Sequence, residues 1–219
     1  PQVVRHFVRL SQQNYSIDRG LFPLGSCTMK HNPRLGEKLA RLPGFADLHP
    51  LQPEADTQGA QALIQSLQDW LGLLVGLPAV TLHPAAGAHG ELTGMMVIKA
   101  ALAARGEKRR YVLVPDSAHG TNPATAVTCG FEVVPIASTA DGLVDMTAFE
   151  QALATYGAEI AAFMLTNPNT CGLFETNISA IANRLHDIGA YLYGDGANFN
   201  AIVGRYRPGD LGIDVMQFN

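Results

Sequence analysis

Hydrophobic and polar positions follow two regimes along the chain. Up to about residue 80 the pattern is broken by Pro- and Gly-rich stretches such as PLGSCTMK, LPGF and HPLQP, which interrupt regular elements. Within this part, Thr57–Leu77 has helical periodicity. Ala62, Leu63, Leu67, Trp70, Leu71 and Leu74 recur at spacings of three and four, so a helix packing that stripe into a core is expected. Beyond residue 80 the chain alternates. Helical stretches are predicted at Ala88–Arg105, Pro123–Cys129, Met146–Tyr156 and Asn177–Asp187, with Asp145 as an N-cap. Strands are predicted at Tyr111–Val114, Glu132–Ile136, Ile160–Leu165 and Ala190–Tyr193. Ile160–Leu165 is apolar throughout, as in a strand buried on both faces. The alternation predicts an α/β fold with a mostly parallel sheet and flanking helices. An irregular N-terminal arm and helical segment (residues 1–80) precedes the core (residues 81–219).

In an open α/β sheet, ligands bind beyond the carboxyl ends of the strands. Three strands are followed there by polar residues among Gly and Pro: PDSAHGTNP, TNPNTCG and GDGANFNAIVG. Before the long helix, HPAAGAHGELTG puts small residues at a helix start. Backbone N–H groups of Gly87, Ala88 and His89 there suit an anion such as phosphate; a tight turn with a helix cap reads the same way. The stretch matches neither GxGxxG nor GxxxxGK[ST]. Asp195, between two glycines at a strand end, would be partly desolvated and need a partner. A protonated ring nitrogen is one, as on pyridoxal phosphate, and an Asx turn is the other reading. His119 could lay its imidazole over a flat ring or serve as a surface hydrogen-bonding residue. Asn167 and Thr170 could bond a ring hydroxyl or satisfy turn backbone groups. His83, His89 and Glu91 do not have a zinc spacing, and no GxSxG elbow is present.

Composition narrows the classes. The 219 residues are 47% hydrophobic and 16% charged, with a net charge of -4. That describes a well-cored globular chain with no basic surface for nucleic acid. Cys27, Cys129 and Cys171 form no CxxC pair, which fits a reducing compartment rather than a disulfide framework. No apolar run reaches membrane-span length, so no membrane is expected. The N-terminus lacks an initiator Met and a signal-peptide pattern. The chain also ends within the apolar stretch DLGIDVMQFN, so a fragment or processed product is expected.

Taken together, PLGSCTMKHNPR (23–34), DLHPLQPEADTQG (47–59), HPAAGAHGELTGMM (83–96), PDSAHGTNPATA (115–126), TNPNTCGLFE (166–175), DGANFNAIVG (195–204) and GDLGIDVMQFN (209–219) resemble the glycine decarboxylase P-protein family. The likeness is to the C-terminal half of its single-chain form or to subunit 2 of its two-subunit form. It implies the large domain of aspartate-aminotransferase-like, fold-type I pyridoxal phosphate enzymes. The implied reaction is decarboxylation of glycine, with the aminomethyl group passed to a lipoyl-bearing H-protein. It further implies Ala88 and His89 near the cofactor phosphate, His119 stacked on the ring, Asp195 on the ring nitrogen, and Thr170 with Asn167 near the ring hydroxyl. Ser26, Cys27 and Thr28 would line the route to glycine. A complementary subunit or fused half and an oligomer are implied as partners, in the cytoplasm of a bacterium or the mitochondrion of a eukaryote. The family's Schiff-base lysine would fall just past Asn219. Lys30, Lys38, Lys99 and Lys108 all precede Asp195, so these residues are expected to lack the covalent anchor. Two other readings stand beside this one: another fold-type I enzyme, such as an amino-acid decarboxylase or cysteine desulfurase, and a non-catalytic scaffold fragment.

Overall fold

A computed structural model describes residues 1–14 and 33–218. The chain forms two compact units, Pro1–Leu63 and Ile64–Asn219. The first holds three short helices, α1 (Gln2–Ser11), α2 (Arg34–Ala40) and α3 (Pro43–Ala46), none of which buries a residue. The long helix α4 (Gln58–Val75) begins in this unit and continues into the second.

The second unit carries α5 (Gly87–Ala104), β1 (Tyr111–Pro115), α6 (Thr121–Thr128), β2 (Glu132–Ile136), α7 (Met146–Tyr156), β3 (Ile160–Thr166), α8 (Ile178–Asp187), β4 (Tyr191–Gly196) and β5 (Val215–Phe218). The five strands make one parallel sheet in the order β2-β1-β3-β4-β5. Alternate strand residues feed two cores. On one face Leu113, Phe163, Leu165 and Leu192 pack with Phe149 and Leu153 of α7 and Ile178, Ile181 and Leu185 of α8. On the other, Val112, Val114, Met164 and Tyr193 pack with Met95, Ile98 and Leu102 of α5 and Ala126 of α6. The result is the expected three-layer α/β arrangement. From β1 the chain moves outward to β2 and then returns to β3 on the other side of β1. The switch point therefore lies between the carboxyl ends of β1 and β3, where such sheets bind ligands.

The N-cap prediction holds: the Asp145 side chain accepts from the Thr147 and Ala148 amides at 2.8 and 3.3 Å. Three expectations need correction. The α6 helix starts at Thr121, two residues before Pro123, because Pro is well placed inside a first turn, where its missing N–H has no acceptor to lose. β4 continues through Gly196 rather than stopping at Tyr193. Gly194 and Gly196 look like turn residues in sequence, but here they admit close neighbours: a Cβ on Gly194 would meet Ile213 at 2.9 Å, and one on Gly196 would meet the Gln217 backbone. The stripe on α4 is helical but not core. Ala62, Leu63, Leu67 and Trp70 are exposed, Trp70 at 69%, while Leu71 and Leu74 are half-buried. No described element of the second unit covers that face from Leu67 to Trp70, so the periodicity reports an apolar surface instead of a packed one.

Gly94 lets α5 lie against the sheet. A Cβ there would stand 2.6 Å from the Tyr193 ring and 3.1 Å from Val215. Gly94→Ala is expected to overpack this contact and cost about 1–3 kcal/mol, read as a lower urea midpoint at unchanged slope; an unchanged midpoint would show that α5 can move away freely.

Candidate functional site

The carboxyl ends of β1, β3 and β4 bring together the residues that sequence reading singled out, together with several it missed. Asp195 sits within β4, in register with Thr166 of β3 and Gln217 of β5, and is only 3% exposed. Each of its oxygens accepts two hydrogen bonds. Oδ2 takes Asn122 Nδ2 at 3.1 Å and Thr166 Oγ1 at 3.3 Å. Oδ1 takes Gln217 Nε2 at 2.5 Å and the Ala197 amide at 3.0 Å. The last bond is the local turn contact allowed for in the sequence, so that reading also holds. No Lys, Arg or His among the described residues makes an ion pair with Asp195. A buried carboxylate with neutral donors alone is an uncompensated charge.

Asn122, Thr166 and Gln217 were not picked out from the sequence. Asn122 lies in AHGTNP and Thr166 opens TNPNTCG, so both were inside quoted motifs, but their direction toward Asp195 depends on sheet register. Gln217 lies in β5, which was not predicted as a strand. Its Oε1 also accepts from the Tyr193 hydroxyl, closing a buried Tyr193–Gln217–Asp195 chain.

A second chain starts one residue before Asn122. The Thr121 hydroxyl lies 2.9 Å from Glu91 Oε2 and 2.8 Å from His119 Nδ1, and the Thr121 amide reaches the same Nδ1 at 3.2 Å. Glu91 comes from the second turn of α5 and is 2% exposed, whereas His119 is exposed. Thus the first turn of α6 touches Asp195 through Asn122 and His119 through Thr121.

Asn167 is buried, with Oδ1 accepting from the Glu175 amide; Thr170 donates its hydroxyl to the Ser117 carbonyl. Both therefore do the turn-satisfying work considered for them. Gly87, Ala88 and His89 form the first turn of α5, whose amides have no acceptor within the helix. His89 Nδ1 accepts from the Ala85 amide at 3.1 Å. Gly87 and Gly90 line a cavity of about 640 Å³ walled by the segment after α4, α5 and β5; Asp195 and His119 are not among its lining residues. Ser26, Cys27 and Thr28 lie outside the described residues.

Among the described residues, three buried side-chain atoms have no hydrogen-bond partner: Glu91 Oε1, Asn122 Oδ1 and Asn167 Nδ2. All belong to the residues just described. Unpaired buried polar atoms are rare in native proteins and point to an absent ligand or water. Two acceptors, one donor and an unpaired carboxylate suit a cationic heterocycle with hydrogen-bonding substituents. That donor set fits pyridoxal phosphate.

No family model matches the chain. Curated relatives do. A probable glycine dehydrogenase (decarboxylating) subunit 2 of Caulobacter vibrioides is 61% identical over the whole chain, which covers 41% of that protein. Relatives of the same description in Pseudothermotoga lettingae and Thermotoga petrophila are 54% and 53% identical, with 45% and 46% of their length covered. By sequence, the chain is similar along its whole length to these glycine dehydrogenase (decarboxylating) subunits 2. It spans less than half the length of these relatives. Among solved structures, an inhibitor-bound glycine decarboxylase P-protein of the glycine cleavage system aligns over all of this chain and 47% of its own, with TM-score 0.77 and 23% identity. A NifS-like protein from Rickettsia africae aligns over 89% of this chain and 52% of its own, with TM-score 0.65 and 17% identity. These two likenesses speak to fold: the chain has the α/β architecture with a parallel sheet that the sequence predicts. No helix among the described residues is long and apolar enough to cross a membrane.

Burial raises the Tyr193 phenol well above its ordinary range, and the Asp195 and Glu91 carboxylates add to the shift by opposing a phenolate. Tyr206, half-buried against Phe174 and Phe199, is pushed up to about 12 by burial. In an ultraviolet phenolate titration, Tyr193→Phe and Tyr206→Phe are each expected to remove no absorbance change below about pH 11, where ordinary tyrosines have ionised. Loss of a transition near about pH 10 in Tyr193→Phe would show that its phenol is not in this buried network.

Proposed function

We propose that this chain is part of a pyridoxal phosphate-dependent glycine dehydrogenase (decarboxylating), acting on glycine and passing the aminomethyl group to a lipoyl-bearing H-protein. The observation that carries the reading is the buried Asp195 carboxylate, which has no cation beside it among the described residues. Support comes from similarity, along the whole of this chain, to part of relatives described as probable glycine dehydrogenase (decarboxylating) subunit 2. Their description also supports a complementary subunit as partner.

Pyridoxal phosphate, when bound, supplies an electron sink for the pair left on the glycine α-carbon as carbon dioxide departs. The residues of this chain make that sink effective. Asp195 keeps a proton on the ring nitrogen by setting a fixed negative charge against it. Its four donors hold the carboxylate in place, so no reorganisation is needed during the reaction. A charged N–H donor binds a carboxylate more strongly than a neutral hydroxyl does. The Thr166 bond, at 3.3 Å the longest of the four, is the one it would displace. Asn167 Nδ2, free of partners, is assigned to the ring hydroxyl beside Thr170. The amides of Gly87, Ala88 and His89 are assigned to the phosphate, whose charge the α5 N-terminus favours. His119 is assigned to the ring face, and Ser26, Cys27 and Thr28 to the glycine route. The relatives are more than twice as long as this chain, and the covalent anchor for the cofactor is placed in the part of them that the chain does not span. The apolar face of α4, with Leu67, Trp70 and Leu73 exposed, supports burial against further protein.

In the whole protein, Asp195→Asn is expected to lower glycine–bicarbonate exchange by at least about a hundredfold, the loss typical of removing preorganised charge stabilisation. Near-native exchange in a variant that still binds cofactor would overturn the assignment.

A further inference from the structure

We propose that Glu91 is a positioning residue that acts through Thr121 to hold the proton of His119 on Nδ1. The proposal deepens the functional reading above, resting on it for the placement of His119 at the cofactor.

One hydroxyl proton is shared between two neighbours. Thr121 Oγ1 lies between Glu91 Oε2 at 2.9 Å and His119 Nδ1 at 2.8 Å. It has one hydrogen to give, so only two arrangements satisfy both contacts. In the first, Thr121 donates to Glu91 and accepts from His119, which requires Nδ1–H. In the second, Thr121 donates to His119, and Glu91 must itself carry a proton to give to Thr121. An ionised Glu91 permits only the first.

The Thr121 amide opposes this order. It points at Nδ1 from 3.2 Å and favours an unprotonated Nδ1. The ring therefore sits between two demands, a neutral amide bond at the longer distance and a hydroxyl polarised by a carboxylate. The Thr121 bond to an ionised Glu91 is kept in either tautomer, but it polarises Oγ1 into a better acceptor, and the Nδ1 contact with that oxygen is the shorter one, 2.8 against 3.2 Å. The proposal takes Glu91 in its ionised form, acting through the Thr121 hydroxyl it meets. Glu91 is 2% exposed, its Oε1 has no partner, and no cation among the described residues pairs with it. The ionisable groups acting in this region are Asp195 and the Tyr193 phenol on β4, which both carboxylates keep neutral. With Nδ1 carrying the proton, Nε2 of the exposed His119 keeps its lone pair. His119 then meets its ligand as an acceptor or base, not as a neutral N–H donor.

The tautomer can be read without any activity. In histidine labelled with nitrogen-15, two-bond correlation spectra distinguish Nδ1–H from Nε2–H, and the His119 signal is identified by its loss in His119→Gln. At about pH 8.5, where imidazoles are neutral, the native protein is expected to show the Nδ1–H form. Glu91→Gln and Thr121→Val are both expected to switch His119 to Nε2–H, because the Thr121-position amide is then the stronger voice. Thr121→Ser keeps the hydroxyl and is expected to keep Nδ1–H, which separates this wire from general loss of packing. Nε2–H in the native protein, or Nδ1–H retained in both Glu91→Gln and Thr121→Val, would overturn the proposal. A failed exchange assay would sink the functional reading while leaving this result intact.

Discussion

A single constraint organises the carboxyl edge of the sheet: Asp195 is a carboxylate buried on an inner strand, and no cation among the described residues neutralises it. Burying such a charge is costly unless its lone pairs are filled. The fold fills them from four separate places. Asn122 comes from the first turn of α6, Thr166 from β3, Gln217 from β5, and the Ala197 amide from just after β4 itself. These bonds solve the hydrogen-bonding problem and leave the charge problem open. A site with fixed negative charge and satisfied geometry is suited to receive a positive ligand, and the partnerless atoms of Glu91, Asn122 and Asn167 mark where its polar edges would go.

The close approach of α5 to the sheet belongs to the same design. Gly90 and Gly94 face Gln217 and the Tyr193 ring at distances that leave no room for a side chain. That contact lowers the helix until Glu91, between them in sequence, reaches Thr121. Two buried carboxylates thus approach one region from opposite elements, and Tyr193 between them stays protonated. The α6 first turn joins the two: Thr121 serves one carboxylate and Asn122 the other. Packing, in this part of the molecule, sets protonation.

Much of this was legible in the sequence. The alternation of apolar runs gave the parallel α/β order, the all-apolar Ile160–Leu165 run read correctly as a fully buried strand, and Asp145 read correctly as a cap. Asp195, His119, Asn167 and Thr170 were placed at the strand ends where they lie. What could not be read was cross-strand register. Thr166 and Gln217 meet Asp195 because β3, β4 and β5 align in one row, and no local pattern encodes that row. Asn122 was hidden inside a motif whose more conspicuous His drew the attention. β4 was cut short because its glycines, which admit Ile213 and the Gln217 backbone, have the composition of a turn. The α4 stripe was right in period and wrong in consequence, since periodicity reports an apolar face without saying what lies against it. The roles proposed for Gly87, Ala88 and His89 rest on helix geometry and the family resemblance; those proposed for Ser26, Cys27 and Thr28 rest on the resemblance alone.

The central claim is that Asp195 exists to hold a proton on a cofactor ring nitrogen. Its most direct test is the nitrogen-15 chemical shift of ring-labelled pyridoxal phosphate bound to the whole protein. The account predicts a protonated-pyridinium shift across neutral and mildly alkaline pH, moving to the unprotonated value in Asp195→Asn. An unprotonated ring nitrogen in the native protein would contradict it.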